Sequence, residues 1–177
     1  METEITIAYV CIGSNLGDRA GNLLLAVRGL TEASFVIHRL SAVYETEPKG
    51  VSSGQPNYLN MVAEIHAANI SPSQMLARML RIEYLLGRRR IEPKAPRTVD
   101  LDLLLYGNQV VETELLTVPH PRLHLRNFVL VPLNEIAPQA VHPTLHLTIQ
   151  ELFENSQDQS KVERWEPIEH PNQRNNI

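Results

Sequence analysis

The spacing of apolar positions changes several times along this chain, and each change marks an element. Residues 5–12, ITIAYVCI, are β-branched and apolar, which predicts a buried strand. GSNLGDR follows as a turn with two glycines. From Arg19 to Leu30, the residues Leu23, Ala26, Val27 and Leu30 fall on one face of a helix. Residues 35–45 predict a second strand. TEPKGVSSGQPN, 46–57, is a loop rich in Pro, Gly and Ser, longer than most connections and of a kind that often carries function. YLNMVAEIHA, 58–67, alternates Leu59, Met61, Ala63 and Ile65 against Tyr58, Asn60, Val62 and Glu64, a third strand.

The next segment, SPSQMLARMLRIEYLLG, carries the fullest set of helix signals. Ser71 caps it, Pro72 suits its first position, Gln74 completes a capping box and Gly87 ends it. A basic loop, 88–97, leads into an apolar strand with two aspartates, Asp100 and Asp102. Gly107-Asn108 signals a hairpin, with QVVET returning antiparallel. TVPHPRLHLRNFVLVPLNEIAP reads as loops with short helices, and the tail after Asn155 as polar and loose. The order β-α-β-β-α-β predicts an α+β, ferredoxin-like sandwich, an antiparallel sheet with helices packed on one face. It forms a single domain over 1–155, followed by the 156–177 tail.

The aspartates in PRTVDLDLLLYG pose a problem. Successive strand side chains alternate faces, so Asp100 and Asp102 share one face, while Val99, Leu101 and Leu103 share the other. Like charges so placed repel, and they require either a cation or water. A solvent-facing strand edge is one answer. A hard cation such as Mg²⁺, which takes carboxylates together with phosphate oxygens, is another. Arg97 and the Arg88–Arg90 run favour phosphate, since guanidinium forks match its oxygens. The same run also fits a solvated surface or a nucleic-acid patch, although no aromatic residue is interleaved with its charges. GSNLGD is no P-loop, because it lacks the GK[ST] ending. It fits a strand-to-helix turn, or a phosphate cradle of another kind.

Tyr58 and Asn60 share a strand face. They suit an exposed aromatic with a polar neighbour, or a ring that stacks a flat heterocycle while the amide pairs with its edge. His120 alone reads as structural, Arg126 as surface charge and Phe128 as core.

Composition narrows the classes. The chain has 177 residues with 43% apolar and 20% charged, ordinary for a globular protein. A net charge of −4 argues against broad nucleic-acid binding. The positive charge is nonetheless concentrated just before the aspartates. The one cysteine, Cys11, lies in the first strand and reads as packing; a chain without an internal disulfide suits the cytoplasm. No apolar run is long enough to span a membrane, and METEITIAYV lacks the pattern of a secretory signal.

AYVCIGSNLGDR, YETEPKG…QPNYLNMV, RIEYLLGR, PRTVDLDLLLYG and TVPHPRLHLRNFVLVPLNEIAP occur in that order. Together they resemble the 6-hydroxymethyl-7,8-dihydropterin pyrophosphokinase family of folate biosynthesis, over residues 5 to 153. The resemblance implies that a pterin hydroxymethyl oxygen attacks the β-phosphorus of ATP and AMP leaves. It implies that Asp100 and Asp102 bind two Mg²⁺ ions bridging the triphosphate, with Arg88, Arg90 and Arg97 around the phosphates; Arg88, Arg97 and the two aspartates would be catalytic. His120 and Arg126 match the ATP side. Tyr58 and Phe128 match aromatics that sandwich the pterin, and Asn60 matches the amide reading its edge, with Thr46 helping. Glu83 matches a family position without a clear role. The implied partners are ATP and a reduced pterin, with no nucleic acid and no membrane, and a monomer is favoured.

Where many members carry RWGPRT, this chain has PKAPRT, without the tryptophan. Loop 88–97 is expected to be mobile without ligand and to close over the triphosphate when ATP, Mg²⁺ and pterin are bound. Two rival readings remain: a ferredoxin-like module presenting its basic loop to RNA or a protein, and an Mg²⁺-dependent phosphotransferase acting on another heterocycle.

Overall fold

The central strand, β1 (Ile5–Ser14), is buried from Ala8 onward on both of its faces, so the sheet must be covered on both sides. The computed structural model describes residues 5–48, 54–88 and 95–167. After β1 come α1 (Arg19–Glu32), β2 (Val36–Leu40), β3 (Tyr44–Thr46), β4 (Tyr58–Ala68), α2 (Pro72–Leu85) and β5 (Asp100–Tyr106). A small ribbon follows, β6 (Val111–Glu112) and β7 (Thr117–Val118), then α3 (Asn127–Ile136), α4 (Ile149–Glu154) and β8 (Val162–Arg164). The main sheet runs β5-β1-β4-β3-β8, with β2 also paired to β4, and every pairing is antiparallel.

On one face, Ala8, Val10 and Ile12 pack under Leu23, Ala26 and Leu30 of α1 and Met75, Met79 and Ile82 of α2. On the other, Tyr9, Cys11, Val62 and Leu104 pack under Val129, Leu130 and Leu133 of α3 and Ile149 and Leu152 of α4. The expectation of helices on a single face is therefore corrected. FVLVPL has too much apolar surface to remain a loop, and the second face of β1 needs a cover. Pro132 sits inside α3 and is buried there; its missing N–H costs a helix bond, and packing offsets that cost.

The predicted capping box of α2 is present: Ser71 Oγ accepts from Gln74 N at 3.2 Å, and Gln74 Oε1 accepts from Ser71 N at 2.9 Å. Gly87 follows the helix with φ of 85°, a conformation glycine adopts without strain.

Three expectations change. Residues 35–45 form two strands. Between them, Ser41 Oγ accepts from Val62 N at 2.9 Å, so a side chain replaces one rung of the ladder. QVVET does not return along the aspartate strand. Val111–Glu112 pairs with Thr117–Val118, closed by Thr113 N donating to Leu116 O at 2.9 Å. The tail is not loose as far as it is described. Its strand β8 pairs with β3, and Trp165 N donates to Val43 O at 2.8 Å. Asp158 Oδ2 accepts from Asn127 N at 2.8 Å and so caps the start of α3. Among the described residues, no helix is long and apolar enough to cross a membrane.

Candidate active site

The site begins at the C-terminal end of β1. Gly13 stands opposite Asn60 of β4 on one side and Asp100 of β5 on the other. Having no side chain, it leaves the floor between them open. A Cβ there would lie 2.7 Å from Asn60 Oδ1, so the amide occupies space that only glycine leaves free. Asn60 is buried, and its Nδ2 donates to Thr46 Oγ1 at 3.0 Å.

Val99, Leu101 and Leu103 are buried in the layer beneath α1 and α2, as the alternation requires. Asp100 and Asp102 face the opposite way and line a cavity of about 820 Å³. The cation that meets Asp100 here is arginine. Arg88 Nη1 donates to Asp100 Oδ1 and Arg97 Nη1 to Asp100 Oδ2, each at 2.5 Å. Arg88 also donates to Glu83 Oε1, whose carboxylate accepts from Leu101 N at 2.8 Å on the outer edge of β5. Glu83 thus ties the helix, the strand edge and Arg88 into one unit.

Asp102 sits deeper. Burial, and then the charge of Asp100, push its carboxyl up to about 6, although Arg126 and Arg88 pull the other way. Burial drives the Cys11 thiol well above its ordinary value, in keeping with a packing role.

A bulge completes this wall. Tyr9 pairs with Leu105 and Val10 with Leu103, leaving Leu104 as the extra residue, and its carbonyl accepts from His120 N at 2.9 Å. His120 Nδ1 accepts from Arg122 N at 3.1 Å, so a neutral imidazole carries its proton on Nε2. Burial, and then Arg126 and Arg122, hold His120 down to about 4, so it is neutral near pH 7. Arg126 lies over the Phe128 ring, its Cζ 5.4 Å from the centroid.

Thr46, Tyr58, Asn60, Arg88, Arg97, Asp100, Asp102, His120, Arg126 and Phe128 all line this one cavity. Arg90, Lys94 and most of the basic loop lie outside the described residues, as does the expected loop motion. Three contributors were not singled out from the sequence. Gly13 read as the first residue of a turn, and only the extension of β1 to Ser14 places it inside a strand. Asn15, fully buried, accepts from Arg97 N at 2.8 Å through Oδ1, while its own N–H donates to Arg97 O at 3.1 Å. GSN therefore braces the arginine instead of serving only as a turn. Arg122 lines the cavity next to His120, and nothing in its local sequence distinguishes it from a surface charge.

The family model described as 7,8-dihydro-6-hydroxymethylpterin-pyrophosphokinase (HPPK) matches residues 9–138. The chain is 45% identical over 134 residues to the 2-amino-4-hydroxy-6-hydroxymethyldihydropteridine pyrophosphokinase of Bacillus subtilis, covering 75% of this chain and 79% of that protein. To the Haemophilus influenzae protein of the same name it is 38% identical over 156 residues, covering 88% and 96%. In structure it resembles the Plasmodium falciparum HPPK-DHPS triple mutant, with a TM-score of 0.69 and 16% identity, across 86% of this chain but only 43% of that one. At that identity, the likeness concerns the fold alone.

Proposed function

The chain belongs to the 7,8-dihydro-6-hydroxymethylpterin-pyrophosphokinase family, and we propose that this cavity transfers pyrophosphate from ATP to the hydroxymethyl oxygen of 6-hydroxymethyl-7,8-dihydropterin. The new bond joins that oxygen to the β-phosphorus, the bond from the β-phosphorus to the α,β-bridging oxygen breaks, and AMP leaves. The observation that carries the assignment of roles is that one cavity is lined by both chemistries. Carboxylates and arginines share it with a buried amide, Tyr58 and Phe128.

The donor set fits a hard divalent cation: two aspartate carboxylates on one strand face. Asp100 and Asp102 would hold Mg²⁺, with two ions expected alongside ATP. Bound there, the metal neutralises triphosphate charge and orients the phosphates for in-line displacement. Arg88 and Arg97, which hold Asp100 in this structure, turn to the phosphate oxygens when the nucleotide arrives, and Arg90 joins them. His120 donates Nε2–H to a phosphate oxygen as a neutral group. Arg126 adds fixed positive charge beside it and orders Phe128. Asn60, held by Thr46, pairs with the polar edge of the pterin while Tyr58 and Phe128 cover its faces. This division of labour aligns the hydroxyl with the phosphorus, which is the main lever in phosphoryl transfer.

The strand order, with the second helical layer set aside, supports a ferredoxin-like reading of the β-α-β-β-α-β part. The RNA- or protein-binding alternative gains nothing from the family match or from arginines turned into a cavity.

A coupled assay with ATP, Mg²⁺ and the reduced pterin tests the proposal by looking for AMP. Pterin-dependent AMP release is expected. Release of ADP, or no turnover, would overturn it.

A further inference from the structure

Away from the cavity, β2 and β4 bring together a second group of metal-binding side chains. Val36 pairs with His66 and Ile37 with Ile65, but Arg39 rather than His38 pairs with Glu64. His38 is the extra residue of a bulge, so both His38 and Arg39 stand opposite Glu64. The Nε2 atoms of His66 and His38 lie 3.4 and 3.9 Å from Glu64 Oε1. The two imidazoles stack, with centroids 4.4 Å apart and planes 15° from parallel. One ligand atom from each of the three residues lies within 4.8 Å of the others. None of the three lines the substrate cavity.

We propose that His38, Glu64 and His66 form a binding site for a divalent transition metal, zinc in the first instance, that fastens the edge strand β2 to β4. Two imidazole nitrogens and one carboxylate oxygen are a donor set zinc accepts, with water as the fourth ligand. Bonds of about 2.0–2.2 Å in tetrahedral geometry set ligand atoms roughly 3.3–3.6 Å apart. The His66–Glu64 distance of 3.4 Å already meets that requirement, and His38 needs only a small rotation.

Two further observations point to a ligand. Glu64 is only 6% exposed, an expensive place for a carboxylate whose Oε1 has two imidazoles as its neighbours. Its other oxygen, Oε2, accepts from Tyr9 OH at 3.4 Å. That bond orients the carboxylate as an outer partner orients a metal ligand, leaving Oε1 toward the histidines. The side chain of His38 is 51% exposed, so an ion has a path in. The neighbouring cation, Arg39, sends Nη1 to Ile136 O at 2.7 Å. β2 is otherwise a mostly exposed five-residue strand with little to bury, so a metal clamp would add to its hold on the sheet.

The test titrates Zn²⁺, and separately Co²⁺, into metal-stripped full-length protein without nucleotide or Mg²⁺. The wild type is expected to take up one equivalent of zinc, to show the intense visible absorption of low-coordinate Co²⁺, and to gain melting temperature. His38→Gln and His66→Gln should each weaken binding by about 100-fold and abolish both the band and the thermal gain. Tyr9→Phe should weaken it by about 10-fold. His38→Gln, distant from the cavity, should keep wild-type turnover with Mg²⁺, which shows that it folds. Absence of saturable zinc binding by the wild type would overturn the proposal. So would uptake unchanged in both histidine variants, which would place the ion elsewhere, on Asp100 and Asp102 for example.

Discussion

Arg88 and Asp100 are directly joined, Nη1 to Oδ1 at 2.5 Å, and Arg97 takes the other oxygen at the same distance. Guanidinium therefore holds the carboxylate that the proposed mechanism assigns to Mg²⁺. Under that mechanism arginine and metal would compete for Asp100, and its release would make the arginines available to phosphate. Arg88→Met should then have opposite effects on two measurements. Mg²⁺ binding without nucleotide should tighten, because a competitor is gone. Turnover should fall by about 10²–10³-fold, as when one donor to a transition-state anion is lost. Calorimetric Mg²⁺ titration and steady-state kinetics on the same variant check both signs, and a loss in both would show that Arg88 is needed to shape the metal site.

Asp102 gives a pH dependence. Its carboxyl, raised to about 6, stays protonated in the metal-free protein at pH values where an ordinary aspartate is ionised. Metal binding needs the carboxylate, so apparent Mg²⁺ affinity should fall as pH drops through 6, and less steeply once ATP brings metal with it. The stability effect has the opposite sense. A carboxyl pKa raised on folding penalises the folded state in full above that pH, and the penalty fades as pH falls from it toward the ordinary carboxyl value. Asp102→Asn should therefore raise metal-free stability at pH 7.5 by ~1–3 kcal/mol while removing nearly all turnover. Denaturant melts at pH 7.5 and 5 check this: the gain should shrink at the lower pH.

Gly13 and Asn60 share one space. Gly13→Ala would place a methyl group 2.7 Å from Asn60 Oδ1 and push the amide off the position from which it is proposed to read the pterin. Pterin affinity should fall by ~1–3 kcal/mol, the cost of an unmet buried polar contact, with ATP affinity changed much less. Asn60→Ala should show the same asymmetry. Separate titrations of the two ligands decide it, since equal losses would mean that the substitution acts through the fold.

His120 is expected to work uncharged. Its ring, held down to about 4, should protonate only well below neutrality in the free protein, and the bound triphosphate should raise that value. NMR titration of the ring, with and without a nonhydrolysable ATP analogue, measures both. His120→Phe keeps the bulk but removes the Nε2 donor, so it should weaken nucleotide binding or turnover by about tenfold. An imidazolium already present at pH 7 in the free protein would refute this role.

The described tail pairs with the sheet through β8 and reaches α3 through Asp158. Asp158→Ala removes the side-chain acceptor for Asn127 N at the start of α3, the helix that carries Phe128. It should cost about 1 kcal/mol, the usual worth of a cap, and loosen pterin binding. Truncation after Asn155 removes β8 as well and should lower the melting temperature further. A truncated chain with an unchanged melting temperature would show that the tail adds nothing.

Much of this protein could be read from local pattern. The capping box of α2, the burial of β1, and the opposed faces of Asp100 and Leu101 all follow from spacing and from the chemistry of one or two residues. That Arg97 lies close to Asp100 was also legible, because it stands three positions earlier in the chain. Long-range decisions were not. The apolar run FVLVPL shows that something must be covered, but which sheet face takes it depends on strand order. The prolines around it pointed to loops with short helices, and packing that offsets the missing N–H of Pro132 lets α3 run ten residues. β8 has too little apolar surface to announce itself, and it forms because β3 offers an open edge. Gly13 looks like part of a turn until Asn60 and Asp100 stand on either side of it. The aspartates were read as facing metal or water, with the arginines turned to phosphate; only the folded chain brings Arg88 from beyond α2 to an Asp100 oxygen.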